Sequence, residues 1–366
     1  MKKPSKRTLF LLSIICLFIL LIGATDNPEP QYTIDTPYEY PILPGTQEWI
    51  DLGDTLTRRR ACQIPDEVLT NLTTDALLQT VLNYPFLCDI YSFNTFEIGY
   101  ETVKRRFNGL QELETRPDYL DLLQRYCQDG YSLSKTKKSL GDYVAEDLYS
   151  IIYTEIDDTE STIFPYALPR ITTVYTPKGS PVEAAEGRVF GVKYTEIDSN
   201  KYDQDTMAAA IENDKRAYPQ ASLLRGVTHE NLPSYNCTSY ALYSQSYNNN
   251  IWLGLANSNG TGPWTYFTDG SYDLVVRDYP ATYGSDNLIS PRGNAQVGDV
   301  FVYGFNESTY PYGPHHIGIV NSLKFGTGVN KVVSKWGAGG LWLHTWSDCP
   351  YIEETGYNYS IWRLAE

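Results

Sequence analysis

The stretch PSYNCTSYALY, residues 233–243, predicts a turn followed by a helix. Pro233 and Ser234 disfavour an earlier helix, and Ser234 or Asn236 can cap the first free backbone N–H groups. Cys237 therefore falls in the first helical turn. There the partial positive charge of the helix end stabilises a thiolate and lowers the thiol pKa. A thiolate at this position is a candidate nucleophile.

A nucleophilic thiolate needs a base, and the stretch HHIGIV at residues 315–320 offers two histidines on a predicted strand. Side chains alternate along a strand, so His316 shares a face with Gly318 and Val320, while His315 points to the other face. We predict His316 as the base, with Gly318 leaving room beside it. A shift of the strand by one residue would exchange the two histidines. The base and the sulfur must approach within about 3–3.5 Å.

Residues 1–24 have the pattern of a secretory signal segment. Basic residues precede an almost wholly apolar run from Leu9 to Ala24. We expect export with cleavage after Ala24, ahead of retention as a membrane anchor through residues 9–24, because the run is short for a span of about 20 residues. In either case the rest of the chain is expected outside the cytoplasm.

The composition excludes one class of partner. The 366-residue chain has a formal net charge of −15. Because phosphate binding requires a basic face, we predict no nucleic-acid partner. No cofactor or metal is predicted. The glycine run at 337–340 lacks the following helix and the Lys-Ser/Thr ending of a phosphate loop. His315, His316 and His344 have no obvious carboxylate partner for a metal.

The cysteines leave the state of Cys237 open. Beyond Cys16 in the apolar run, the chain has Cys62, Cys88, Cys127, Cys237 and Cys349. An odd number in an exported protein leaves at least one thiol free, and any two of the first three can pair. The alternatives to a reactive Cys237 are a disulfide with Cys349 and a buried inert thiol.

The patterning after the signal segment predicts a lead-in and three further parts. Residues 25–60, rich in Pro, Tyr and Thr, are interpreted as a linker, with the arginines at 58–60 in a solvated turn. Residues 61–150 carry apolar residues at helical spacing and predict a small all-helical domain. Residues 151–205 predict a strand-rich connector. In residues 206–366, a helix at 207–217 and the Cys237 helix precede several strands, which predicts an α+β layer.

Three motifs of this last domain resemble a known family. They are NCTSYA at 236–241, VGDVFV at 297–302 and HIGIV at 316–320, and they resemble the cysteine motif, the Gly-Asp strand and the His strand of CHAP and NlpC-type enzymes. Those enzymes are papain-like cysteine hydrolases that cut peptidoglycan peptides or amide bonds. Further stretches resemble uncharacterised exported bacterial members: YNC at 235–237, DGSY at 269–272, SKWGAGGL at 334–341, His344, and CPY at 349–351. The resemblance covers about the last 140 residues.

The resemblance implies a papain-like fold for the C-terminal domain, with Cys237 as nucleophile and His316 as base. The family's third, orienting residue does not transfer, because the next strand offers only Ser334 and Lys335, and a charged lysine has no acceptor. His344, one strand further, is the tentative third member. A role in the strand core or at the surface is an equal alternative for His344.

The expected function is therefore that of an exported cysteine amidohydrolase or peptidase. By resemblance, its substrate is a peptide cross-link of the cell wall or the amide that joins peptide to glycan. The alternative, motivated by the missing orienting residue, is a catalytically degenerate papain-like module that binds cell wall or a partner protein. Acyl transfer to an amine needs the same Cys and His and is not separated from hydrolysis by the sequence.

Overall fold

The fold is taken from a computed structural model. It describes residues 32–93, 96–128, 138–156, 172–175, 181–183, 188–190, 193–196, 204–226, 235–242, 251–253, 267, 272–279, 295–304, 316–324, 328–337, 339–353 and 359–365. The predicted signal segment at 1–24 and His315 lie outside these ranges. Within the described residues, no helix combines the length and the apolar character needed to cross a membrane.

Helices make up most of the first half of the described chain. They are α1 (Gln47–Asp51), α2 (Thr55–Ala61), α3 (Asp66–Leu69), α4 (Thr74–Leu82), a 3-10 helix (Leu87–Ser92), α5 (Phe96–Arg106), α6 (Asn108–Thr115), α7 (Tyr119–Gln128) and α8 (Leu140–Ile156). The Thr73 side chain caps α4 by accepting from the Ala76 N–H at 3.3 Å. Helix α7 begins two residues after Pro117.

The stretch interpreted as a linker, 25–60, differs from its prediction. Helices α1 and α2 lie within or across its second part, and the Trp49 side chain is fully buried. Thr46 and Asp54 cap these helices, with the Asp54 carboxylate accepting from the Thr57 N–H at 2.8 Å. Local capping outweighs the Pro-rich composition, because each cap satisfies N–H groups that a short helix leaves free.

The arginine run at 58–60 is not a solvated turn. Arg58 is fully buried and donates to the Asp348 carboxylate at 2.6 Å. Arg59, 5% exposed, pairs with Asp89 at 3.1 Å. Buried carboxylates far away in sequence explain the burial, since a charge in the interior requires a paired and hydrogen-bonded partner.

The second half of the chain supplies the strands and two further helices. In chain order they are β1 (Thr172–Tyr175), β2 (Pro181–Glu183), β3 (Arg188–Phe190), β4 (Lys193–Glu196), α9 (Gln204–Ala217), β5 (Ser222–Arg225), α10 (Cys237–Leu242), β6 (Ile251–Leu253), β7 (Tyr272–Tyr279), β8 (Val300–Tyr303), β9 (His316–Lys324), β10 (Gly328–Lys335), β11 (Leu341–Thr345) and β12 (Tyr359–Leu364). Seven of them form one antiparallel sheet with the order β5-β11-β10-β9-β8-β12-β7. The predicted α+β class is confirmed at this level.

The two faces of this sheet bury different residues. One face, here called the helical face, contributes Phe301, Tyr303, Val320, Val332, Trp342 and Ile361 to the large hydrophobic cluster that also contains the N-terminal helices. The other, here called the Cys face, contributes Val300, Val302, Ile317, Ile319, Val333, Leu341 and Trp362 to a second cluster with residues of α10. The strict alternation along each strand follows from the pleat. The helices and the sheet therefore share one core.

Candidate functional site

Helix α10 begins at Cys237, as the sequence predicts. The Asn236 side chain accepts from the Ser239 N–H at 2.9 Å and so acts as the N-cap. Of the two candidate caps, Asn236 is confirmed, whereas Ser234 lies outside the described residues. Tyr240, Ala241 and Leu242 anchor the helix to the Cys face, which brings Cys237 to the start of strand β9.

The Cys237 sulfur is surrounded by groups that favour its anion. The backbone N–H of Ile317, the hydroxyl of Thr238 and the backbone N–H of Thr238 hydrogen-bond with the sulfur, and the Lys335 ammonium attracts a thiolate. The Thr238 Oγ1 atom is 3.8 Å from Sγ. Burial nonetheless raises the pKa of Cys237, because the thiol is only 3% exposed and the anion loses its hydration. All five described cysteines are free, so the Cys237–Cys349 disulfide is not formed.

Lys335, the last residue of β10, is buried on the Cys face beside this sulfur. Its Nζ donates to the backbone oxygens of Gly337 at 2.9 Å and Gly339 at 2.7 Å. It also lies 5.3 Å from the centroid of the Tyr235 ring. Burial lowers the pKa of Lys335 to about 7, while a Cys237 thiolate acts in the opposite direction.

His316 lies on the helical face, at the first position of β9. Its ring stacks on Tyr351 with 3.4 Å between centroids and 6° between planes, and the Tyr303 ring is 5.4 Å away. The predicted grouping of His316, Gly318 and Val320 on one face is correct, but that face is opposite α10. The space left by Gly318 is occupied by Val332 and Ser334.

Within the described part of the chain, the hydrogen bonds given for the Cys237 sulfur do not include His316. Among the described residues, the sulfur's hydrogen-bond partners are Thr238 and the Ile317 backbone. His316 precedes Ile317, so one residue separates the imidazole from the strand position that contacts the sulfur. His315, the other candidate base, lies outside the described residues.

His344 belongs to a buried hydrogen-bond chain on the helical face. Its Nδ1 is 2.8 Å from the Thr345 carbonyl oxygen, which can only accept, so Nδ1 carries the proton. Its Nε2 therefore accepts from the Ser334 hydroxyl at 2.8 Å, and Ser334 in turn accepts from Trp336 Nε1 at 3.1 Å. Burial lowers the pKa of His344 to about 4. The ring is a neutral core group that is fully engaged and does not orient His316.

The helical region positions the ring that stacks on His316. The segment Asp348–Glu353 follows β11 and carries Tyr351, whose hydroxyl donates to the Ser92 carbonyl. Arg59 and Arg106 both donate to the Pro350 oxygen, at 2.9 and 2.8 Å. The sequence singles out neither Tyr351 nor these arginines for this role, because their partners lie more than two hundred residues away.

One described cluster has the spacing of metal ligands. Cys88, Asp89 and Asp214 are buried, with ligand atoms within 4.8 Å of one another. The Asp89 oxygens already accept from Tyr218 and Arg59. Burial raises the pKa of Asp214 well above its usual range, and Cys88 hydrogen-bonds with it. Among the described residues, Asp214 Oδ1 is buried without a hydrogen-bond partner.

Comparison of the chain with protein-family models, with curated proteins and with solved structures gives no match.

Proposed function

We propose that this protein is an exported cysteine amidohydrolase or peptidase with a papain-like C-terminal part, and that it cleaves an amide bond of peptidoglycan. The observation that carries the proposal is the surroundings of Cys237. Two backbone N–H groups, one hydroxyl and the Lys335 ammonium all stabilise the sulfur anion. The thiolate is the nucleophilic form of cysteine, so this arrangement favours attack on a carbonyl.

In the proposed reaction, the Cys237 sulfur forms a bond to the amide carbonyl carbon while the carbonyl electron pair moves to oxygen. The backbone N–H of Cys237 and the Tyr235 hydroxyl stabilise this oxyanion. An imidazole takes the thiol proton and gives it to the amine, which leaves as the C–N bond breaks. Water then attacks the thioester, releases the acid and restores the thiol.

The imidazole is His316 or its neighbour His315. For His316 to act, its ring must leave the stack with Tyr351 and reach the Cys face. His315 has the same parity in the sequence as Ile317, whose side chain is on the Cys face. Separate His315→Ala and His316→Ala variants distinguish the two. Removal of the base is expected to lower turnover by about a hundredfold or more, whereas removal of the other histidine is not.

The test uses the purified full-length protein and isolated peptidoglycan. We expect the wild type to release peptides with new free amines or carboxyls, which mass spectrometry detects. Cys237→Ala should lose this release. Cys127→Ser is the matched control, because Cys127 is a free cysteine in the helical region whose thiol donates to the Ala145 oxygen. Equal release by wild type and Cys237→Ala would overturn the proposal, as would no release by wild type from any peptidoglycan tested.

A second function is favoured by two observations that oppose catalysis. Cys237 is 3% exposed with a raised pKa, and the His316 ring lies on the opposite face of the sheet. Both suit a degenerate module that binds cell wall or a partner protein without turnover. In that case the protein cosediments with peptidoglycan, Cys237→Ala leaves cosedimentation unchanged, and iodoacetamide near neutral pH fails to alkylate Cys237.

A further inference from the structure

We infer that Lys335 is the cationic partner of the Cys237 sulfur, so that the working nucleophile is a thiolate–ammonium pair. The inference rests on the proposed function, in which Cys237 is the nucleophile. The family resemblance gives Lys335 no role in the site, and this inference gives it one. Lys335 acts on the reacting sulfur electrostatically and stabilises its anion, whereas proton delivery to the leaving amine stays with a histidine.

The first support is the position of Lys335. It ends β10 with the parity of Val333, a residue of the Cys face. Strand β10 pairs with β9, in the register Val333↔Ile319, so Lys335 lies opposite the region of Ile317. The Ile317 N–H donates to the Cys237 sulfur. The lysine and the cysteine thus reach the same end of the sheet from two different elements.

The second support is the number of donors on the ammonium. Two of its three N–H groups are used by the Gly337 and Gly339 oxygens, in the hairpin that links β10 to β11. Gly337 adopts a φ of 48°, which turns the chain so that both oxygens converge on Nζ. The remaining N–H is available for an anion. The hairpin thereby fixes the cation in place, which lowers the entropy cost of using it.

The third support is the electrostatic balance of the site. Lys335 is 4% exposed and has no carboxylate among its described partners. A buried ammonium without an anion is costly, and so is a buried thiolate without a cation. Each group lowers the cost of the other, because the lysine lowers the pKa of Cys237 and the thiolate raises that of Lys335.

The proton balance of the pair is simple. Lys335 stays an ammonium throughout: when the S–H bond of Cys237 breaks, its electron pair stays on sulfur and the proton goes to the imidazole, which later gives that proton to the leaving amine. Among the described residues, Tyr235 lies beside Lys335, Tyr351 interacts electrostatically with Cys237, and His316 stacks on Tyr351. Burial holds the pKa of Tyr351 well above its usual range, so Tyr351 does not compete near neutral pH. The His316→Gln variant tests the imidazole directly.

The experiment measures alkylation of Cys237 by iodoacetamide from about pH 5 to 10, resolved by peptide mass spectrometry. The variants are Lys335→Met, which removes the charge and the donors, and Lys335→Gln, which keeps donors for the glycine oxygens. Cys62, a buried free cysteine of the helical region, is an internal control for opening of the whole fold. His316→Gln is measured in parallel.

We expect both lysine variants to raise the pH midpoint of Cys237 alkylation by about one unit and to slow it about tenfold at neutral pH. Alkylation of Cys62 should stay unchanged. Equal midpoints in wild type and both lysine variants would overturn the inference. A midpoint shift in His316→Gln alone would also overturn it, because the imidazole would then be the partner.

A second measurement avoids substitution of the lysine. Linkage requires that loss of the thiolate lowers the pKa of Lys335 by as much as loss of the ammonium raises that of Cys237. Carbon-13 NMR of labelled lysine Cε atoms should therefore show a lower Lys335 midpoint in Cys237→Ala than in wild type. Identical midpoints would contradict the pair.

These outcomes separate the inference from the proposed function. A shifted alkylation midpoint without peptidoglycan cleavage leaves the pair intact and removes the proposed substrate. Cleavage that depends on Cys237, combined with unchanged midpoints in the lysine variants, leaves the function intact and removes the pair.

Discussion

The two faces of the seven-stranded sheet hold the two halves of the expected dyad under different conditions. On the helical face, His316 stacks on Tyr351, which belongs to a segment tied down by Arg59 and Arg106. On the Cys face, Cys237 sits on the six-residue helix α10, whose described contacts come mainly from one smaller hydrophobic cluster.

The contacts on the helical face hold His316 in place, whereas those on the Cys face favour the reactive form of Cys237. Buried ion pairs and stacked rings fix the histidine, but they also engage its ring with Tyr351 on the face away from the sulfur. Among the described residues, the neighbours of Cys237 include groups that stabilise its anion. Catalysis by this pair requires movement, and we expect the movement on the less constrained side or at the start of β9.

The largest effect is expected from a substitution that breaks the ionic ties of the helical face. Arg59→Met removes a buried partner of Asp89 and donors to the Pro350 and Ile352 oxygens. We expect a loss of about 3–5 kcal/mol in the free energy of unfolding, measured with urea, because a buried carboxylate loses a paired charge.

Arg105→Met is the matched control, because Arg105 pairs with Glu353 at 2.8 Å but its side chain is 49% exposed. That pair is screened by water, so the expected loss is under about 1 kcal/mol. Equal losses in the two variants would show that the ionic ties do not distinguish this face.

The next effect is an acid-dependent loss of stability through His344. Its folded pKa, about 4, lies below the usual 6.5, so the unfolded chain binds a proton first as pH falls. Stability due to the neutral ring is complete above about pH 6.5 and is lost progressively towards pH 4. The full loss corresponds to about 3 kcal/mol. His344→Gln should show a flatter dependence of unfolding free energy on pH, and an unchanged slope would contradict the buried neutral ring.

A smaller effect tests the packing between β9 and β10 on the helical face. In Gly318→Ala, the new methyl group overlaps Val332 Cγ1 and lies 3.0 Å from Ser334 Cβ. We expect a loss of about 1–3 kcal/mol by urea unfolding. The control is Gly226→Ala, whose methyl would be 3.4 Å from Leu223, an ordinary contact with an expected change of under about 0.5 kcal/mol. A Gly318→Ala protein as stable as this control would mean that the strands separate more readily than described.

The smallest effect compares one helix cap from each region. Asn236→Ala removes the cap of α10 and Thr73→Ala that of α4, each at a cost of about 1 kcal/mol to its helix. If α10 opens locally, Asn236→Ala should speed alkylation of Cys237 about fivefold, whereas Thr73→Ala should not. The same alkylation rate in both variants would contradict local opening on the Cys face.

The sequence predicts local features of this fold well. The start of α10 at Cys237, its cap at Asn236 and the strand that carries His316 depend on residues within a few positions of one another. Gly337, with a φ of 48°, turns the chain between β10 and β11, and glycine adopts this backbone conformation at no steric cost.

Long-range partners escape such a prediction. The burial of Arg58 depends on Asp348, and the surroundings of His316 depend on Tyr351. Alternation tells which residues share a strand face, but not which layer will cover that face. The environment of Lys335 was likewise unpredictable, because the residues that bury it come from α10 and from a later hairpin.

The Asp348–Glu353 segment has a consequence for dissecting the protein into pieces. A fragment that starts at residue 206 would keep Cys237, His316 and Lys335, yet it would strand Asp348 and Glu353 without Arg58 and Arg106. It would also remove Phe93, whose ring lies 5.4 Å from that of Tyr351. Such a truncated polypeptide should aggregate during expression, whereas co-expression with residues 32–156 should restore solubility by supplying the missing layer in trans.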